Sequence, residues 1–193
     1  FNIVPRCTYA DSATGRGASS IEISNFKADG YFLGVGSYTN ARMLSIGATG
    51  FSLSPFKTGF ISNVLVTNFL NVPLSVTSAR HLEFNNIITR YGSGGVLFTA
   101  LGGEFSGDTT FNNCEFSGTE SLRPIELTAY TLTGQSEVRG IRFNSCVIYG
   151  TGCYISASTN GKVGDIWLSD CAWDGPGSPA SERPLIIYAA DTG

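Results

Sequence analysis

Charge is what this chain has least of. Asp, Glu, Lys and Arg make up 14% of its 193 residues, against roughly 25% in an average domain. The twelve Lys and Arg stand singly and the formal net charge is −3, so there is no basic stripe to meet a phosphate backbone, and no nucleic acid is expected as a partner. No run of 18 apolar residues occurs, which excludes a spanning helix, and no membrane insertion is expected. Helical patterning is missing as well: Ser, Thr, Asn and Gly break every window in which apolar residues would recur at i, i+3, i+4 and i+7. His81 is the single histidine, and Cys7, Cys114, Cys146, Cys153 and Cys171 contain no C-x-x-C pair. A zinc site is therefore not expected, and the reading carries neither metal nor cofactor. The cysteines sit in strand-like runs, where a free thiol acts as a small apolar residue. No G-x-S-x-G elbow or P-loop is present; Gly15-Arg16-Gly17 and Gly34-Val35-Gly36 precede no helical pattern and read as turn glycines.

What is abundant is glycine, at 24 residues, within a chain that is 42% apolar. The residues recur in a pattern: apolar-x-apolar-x-Asn appears as Ile21-Glu22-Ile23-Ser24-Asn25-Phe26, Val64-Leu65-Val66-Thr67-Asn68-Phe69 and Leu82-Glu83-Phe84-Asn85-Asn86-Ile87. It continues as Thr109-Thr110-Phe111-Asn112-Asn113-Cys114, Ile141-Arg142-Phe143-Asn144-Ser145-Cys146 and Ile166-Trp167-Leu168-Ser169-Asp170-Cys171, with a degenerate copy at Leu44-Ser45-Ile46-Gly47-Ala48. Period-two alternation ended by a turn-forming polar residue is a short strand followed by a corner. Its recurrence at solenoid spacing predicts an all-β, right-handed single-stranded parallel β-helix of about seven coils. A second strand-like run follows each copy, at Tyr31–Val35, Leu74–Val76, Val96–Ala100, Ile125–Ala129, Tyr154–Ala157 and Leu185–Ala189. An antiparallel sandwich would also give short alternating strands, but it leaves the repeated asparagine without a cause.

In a solenoid, equivalent residues stack about 4.8 Å apart. Asn25, Asn68, Asn86, Asn113, Ser145 and Asp170 then form a corner ladder whose amides bond from coil to coil, and Cys114, Cys146 and Cys171 form an inward one. Both are expected to serve packing. Two outward columns remain. One reads Glu22, Ser45, Leu65, Glu83, Thr110, Arg142, Trp167; the other reads Ser24, Gly47, Thr67, Asn85, Asn112, Asn144, Ser169. Small hydrogen-bonding groups beside an indole suit the edges and faces of sugars, which makes Trp167, Trp173, Arg142, Asn112 and Asn144 the candidate substrate-binding residues. The tryptophans fit packing against a neighbouring subunit equally well, and Arg142 fits either an acidic sugar or a nearby carboxylate such as Glu115.

Repeated corner asparagines, unequal loops, low charge and many Ser, Thr and Gly over residues 21–193 resemble the β-helical shaft of bacteriophage tailspikes and capsular depolymerases, within the pectate-lyase-like superfamily. The resemblance implies a homotrimer on the virion, acting outside the cell, that binds a bacterial surface polysaccharide and in many members cleaves it. Residues 1–20 would be a lead-in or cap, and the whole chain a piece of something longer. Glycoside hydrolysis requires two carboxyl groups about 5 to 9.5 Å apart. Glu115 and Glu126 are the best pair within one coil, although they stand on different runs of it, and Glu83 and Asp174 are further candidates. Two rival readings stand beside this one: a non-enzymatic structural or adhesive shaft of a trimeric fibre, and a secreted pectate-lyase-like enzyme.

Overall fold

The computed structural model describes residues 20–29, 44–47, 58–67, 74–77, 80–90, 95–101, 105–118, 124–130, 135–150, 153–157, 160–174 and 185–189. Among them every element is a strand. The chain opens with β1 (Ser20–Asp29), β2 (Leu44–Gly47), β3 (Thr58–Thr67), β4 (Leu74–Thr77), β5 (Leu82–Arg90) and β6 (Val96–Leu101). It continues through β7 (Phe105–Asn112), β8 (Glu115–Ser117), β9 (Ile125–Tyr130), β10 (Ser136–Asn144), β11 (Val147–Tyr149) and β12 (Cys153–Ala157). It closes with β13 (Gly161–Ser169), β14 (Ala172–Asp174) and β15 (Leu185–Ala189). All pairings are parallel. Nine strands make one sheet and six make another, and the chain alternates between them, so each pass adds one rung to both.

The rung register corrects two readings of the repeat. Ser24 pairs with Ser62, and Ser62 with Asn85, which puts Asn63 and not Asn68 at the corner between Asn25 and Asn86. Asn68 itself lies outside the described residues. The true second copy is Gly59-Phe60-Ile61-Ser62-Asn63-Val64; the run Val64–Thr67 is the next arc, beyond the corner. Leu44–Gly47 is registered on Leu74–Thr77 in the six-stranded sheet, so it belongs to the second-run series and adds no ladder position. Six rungs therefore stand in each sheet among the described residues. The run at 31–35 and the segment 1–19 fall outside them.

Corners arise where the backbone turns left-handed. Asn25, Asn63, Asn86, Asn113, Ser145 and Asp170 have φ between 52° and 55°, a region that Asn and Asp tolerate better than other non-glycine residues because their short polar side chains bond locally. A second corner column lies five residues earlier, at His81, Asp108, Gly140 and Asp165, with φ of 53°, 49°, 70° and 52°. The alternation reading misses it, since its residue types differ from rung to rung. Gly140 is fixed by its neighbour as well as by φ: a Cβ there would meet Asp108 Oδ1 at 2.7 Å.

Between the corners, inward residues stack on their own kind. Phe84, Phe111 and Phe143 lie in register, with ring centroids 4.6 and 4.9 Å apart and planes within 9° and 6° of parallel. Phe116, from the arc beyond the corner, and Phe98, from the six-stranded sheet, meet Phe111 edge-on at 5.6 and 6.5 Å. Three walls thus interlock through one ring. Each such aromatic pair adds about 0.5–1.5 kcal/mol to what burial alone supplies. In the nine-stranded sheet the core is closed from the second rung to the fifth and opens at both ends: Ile23 and Phe26 in the first rung are only partly buried, and Phe143 is 1% exposed whereas Leu168, its register partner in the sixth, is 48% exposed. Phe143→Ala is expected to cost about 3–5 kcal/mol, as for a buried aromatic, and Leu168→Ala roughly 1–2 kcal/mol. Urea midpoints of the two variants check the order, and a larger loss at Leu168 would contradict this account of the core.

Cys114 and Cys146 are fully buried in the thiol column, while Cys171 is only half-buried. Each thiol has one hydrogen and two carbonyl oxygens within reach of it, one two residues earlier and one in the preceding rung: Cys146 Sγ lies 3.4 Å from Asn144 O and 3.5 Å from Phe111 O. The hydrogen bond with Cys146 and then burial push Cys114 up, the same hydrogen bond pulls Cys146 down, and burial pushes Cys171 up. Burial, with a smaller contribution from Cys171, raises Cys153 to about 12. Mass-mapped maleimide labelling of the native protein at neutral pH should modify Cys171 before Cys114, Cys146 and Cys153. For Cys153 the folded value exceeds the unfolded one, so its contribution is complete below the unfolded value of 9.0 and is lost as pH rises toward 12. The stability advantage of wild type over Cys153→Ala should therefore shrink between pH 9 and pH 11 in parallel melts.

Candidate functional site

The outward face of the arc between the two corners carries most of the residues with binding chemistry. In this arc, residues 82 and 84 point inward and 83 and 85 outward, and the same alternation holds one rung on at 109–112 and two rungs on at 141–144. With the register corrected, one outward column reads Glu22, Phe60, Glu83, Thr110, Arg142, Trp167 and the other Ser24, Ser62, Asn85, Asn112, Asn144, Ser169.

Asn112 and Asn144 belong to a chain of amides. Asn144 Nδ2 donates to Asn112 Oδ1, Asn112 Nδ2 to Asn85 Oδ1, and Asn85 Nδ2 to Glu83 Oε1, each at 2.9 Å. At the corner beside it, Asn86 Nδ2 donates to Asn63 Oδ1 at 2.9 Å and Asn63 Nδ2 to Asn25 Oδ1 at 3.1 Å. Four of the five bonds donate to the preceding rung, so the amide dipoles run head to tail from rung to rung, and the fifth, Asn85 to Glu83, lies within β5. The outward chain ends on a carboxylate, a charge-assisted acceptor stronger than a neutral amide oxygen. Each Nδ2 spends one of its two hydrogens in the ladder. The second hydrogens of Asn85, Asn112 and Asn144 are spaced at the strand repeat of about 4.8 Å.

Arg142 and Trp167 are register partners, and the guanidinium carbon sits 4.8 Å from the ring centroid. The arginine covers one face of the indole, leaving Trp167 45% exposed. Arg142 does not pair with Glu115. That acid is held by Arg90, whose Nε and Nη2 fork onto its two oxygens, with Nη2 2.7 Å from Oε2. What distinguishes the pair from a typical surface ion pair is its two-point fork onto a carboxylate that keeps only 15% of its side chain exposed.

Glu83, Glu115 and Glu126 are not brought together. Glu83 lies on the arc before the asparagine corner, Glu115 on β8 beyond the corner, and Glu126 on β9 in the six-stranded sheet, between buried Ile125 and Leu127. Glu126 also accepts from Thr128 Oγ1 at 3.4 Å. Each acid stands on its own wall with a hydrogen-bond donor of its own, an arrangement unlike two carboxyl groups flanking one glycosidic bond. Trp173 is also placed differently from the expectation. It registers on Ile148, which registers on Phe116, and it packs against the core, apart from the outward column of Trp167.

His81 is exposed at the first corner, with Nδ1 3.9 Å from Asp108 Oδ2. Among the described residues no group of three or more His, Cys, Asp and Glu could hold a metal. No known family model, curated protein or solved structure matches the chain.

The amide chain makes a direct prediction. Asn112→Ala removes two ladder bonds and Asn144→Ala one. At about 1 kcal/mol per bond, the first should lower the urea midpoint about twice as far as the second.

Proposed function

We propose that this chain is part of a right-handed parallel β-helix of six coils that recognises an extended bacterial surface polysaccharide, in the manner of a phage tailspike shaft. Right-handedness follows from the near-universal hand of parallel crossover connections. The observation that carries the recognition reading is the outward face built from Asn85, Asn112, Asn144, Thr110, Arg142 and Trp167. It offers a row of amide donors at a spacing close to the length of one pyranose unit, bordered by a hydroxyl, a cation and an indole. Polysaccharides are bound through such repeated polar edges with an aromatic face alongside. Homotrimer formation and a place on the virion belong to the same reading, by resemblance to tailspikes.

A binding role without cleavage is favoured at this face by the separation of Glu83, Glu115 and Glu126 onto three walls. That separation also supports the neighbouring reading, a purely adhesive shaft. The test is incubation of the purified protein with capsule and lipopolysaccharide from a bacterial panel, following retention of polymer and release of new reducing ends. Retention without release is the expected result. Release that is abolished by Glu83→Gln, Glu115→Gln or Glu126→Gln would establish a depolymerase instead, and neither retention nor release from any strain would overturn polysaccharide recognition.

A further inference from the structure

We infer that the ligand of this face is an anionic polysaccharide, and that Arg142 receives its carboxylate; the inference rests on the polysaccharide reading above and names its substrate class. It starts from how the arginines are used. Arg90 is forked onto Glu115, Arg139 lies 3.7 Å from Glu137, and Arg80 lies partly buried with its guanidinium carbon 4.6 Å from the Phe105 ring centroid. Arg142 has no carboxylate among the described residues, and it stands exposed on the outward column. The guanidinium carbon lies over the Trp167 ring, a contact made through the charge of the arginine. A cation over a ring face is held by its delocalised charge and not by a hydrogen bond, so the contact leaves N–H donors of the guanidinium fork for a further partner. A carboxylate is the planar, two-oxygen partner that such a fork fits.

The surroundings sort the ligand further. Thr110 precedes Arg142 in its column, and Asn144 follows it two residues on along the same strand. Asn144 Oδ1 is the one oxygen of the outward amide chain that accepts no ladder bond, because Ser169, the next residue in the column, donates to Asp170 Oδ2 at 3.2 Å. The carboxylate position is thus bordered by a hydroxyl, a free amide oxygen and amide N–H groups, which are partners for ring hydroxyls. Glu83 lies two rungs from Arg142, about 10 Å at the strand spacing. The column therefore runs from anion to cation, and a polymer bearing one carboxylate per repeat is held at the Arg142 end and repelled at the Glu83 end. An acidic sugar, uronate or sialate, meets these conditions; a neutral glycan leaves the fork unpaired.

The experiment takes every polymer retained in the panel and remeasures it after its carboxyl groups have been reduced to alcohols, using wild type, Arg142→Gln, Arg142→Lys and Trp167→Phe. The expected result is that the retained polymers are acidic and that reduction weakens binding on the order of tenfold or more. Arg142→Gln should match that loss on the native polymer while leaving the reduced one unaffected, and Arg142→Lys should recover part of it in low salt only. Unchanged melting temperatures and sedimentation for the variants confine the effect to the site. Retention of neutral polymers, or binding that survives carboxyl reduction, overturns the anionic assignment and leaves polysaccharide recognition standing. Absence of retention for every polymer overturns both. A change in oligomeric state with Arg142→Gln, without a change in polymer binding, assigns the Arg142–Trp167 pair to a subunit interface and also overturns the inference.

Discussion

Parallel stacking in register is the constraint on which everything else rests. Once a rung is laid directly on its neighbour, every side chain must share its environment with the equivalent residue above and below. An inward phenylalanine is best met by another ring, and an outward amide by another amide. The chain satisfies this by repetition: Phe84, Phe111 and Phe143 in one column, Asn85, Asn112 and Asn144 in the adjacent one, Cys114, Cys146 and Cys171 just past the corner. The left-handed corners are the same constraint applied to the backbone. A rung that turned at a different residue would shift its whole alternation, exchanging buried for exposed positions.

This explains what was legible in the sequence and what was not. Residues 82–87, 109–114, 141–146 and 166–171 could be aligned because each corner residue is followed at once by an apolar one, Ile87 or a cysteine. The second copy slipped because Val64-Leu65-Val66-Thr67-Asn68 satisfies the same alternation as the true copy, whose first inward position is only Gly59. Both arcs around a corner have period two, so alternation alone cannot say which arc is being read. Register requires the corner itself, and the corner is specified by φ, a property that Asn shares with Asp, Ser and even His in this chain. Trp173 shows the complementary lesson. Carrying the alternation past Asp170, as Cys114-Glu115-Phe116 does past Asn113, would have turned it inward.

The acids were legible as residue types but not as places. Sequence distance put Glu115 and Glu126 together, yet the chain crosses from the nine-stranded to the six-stranded sheet between them, and that crossing moves a side chain to another wall. Arg90 supplied the rest of the answer. Its fork on Glu115 joins residues 25 apart in sequence and one rung apart in space, a relation that only the register reveals.

Register also decides which polar groups the ladders leave unused. Along the outward amide column each asparagine gives one hydrogen to its neighbour, so the ladder stabilises the wall and still leaves a regular row of donors outside it. A ladder of hydroxyls would not do this, because a hydroxyl that donates to its neighbour has no second hydrogen to present. The same logic separates the arginines. One that is neutralised by a carboxylate on its own wall contributes to stability, whereas Arg142, held by the face of Trp167, keeps both its charge and its in-plane donors. Structure and recognition can therefore use the same columns without competing for the same hydrogens.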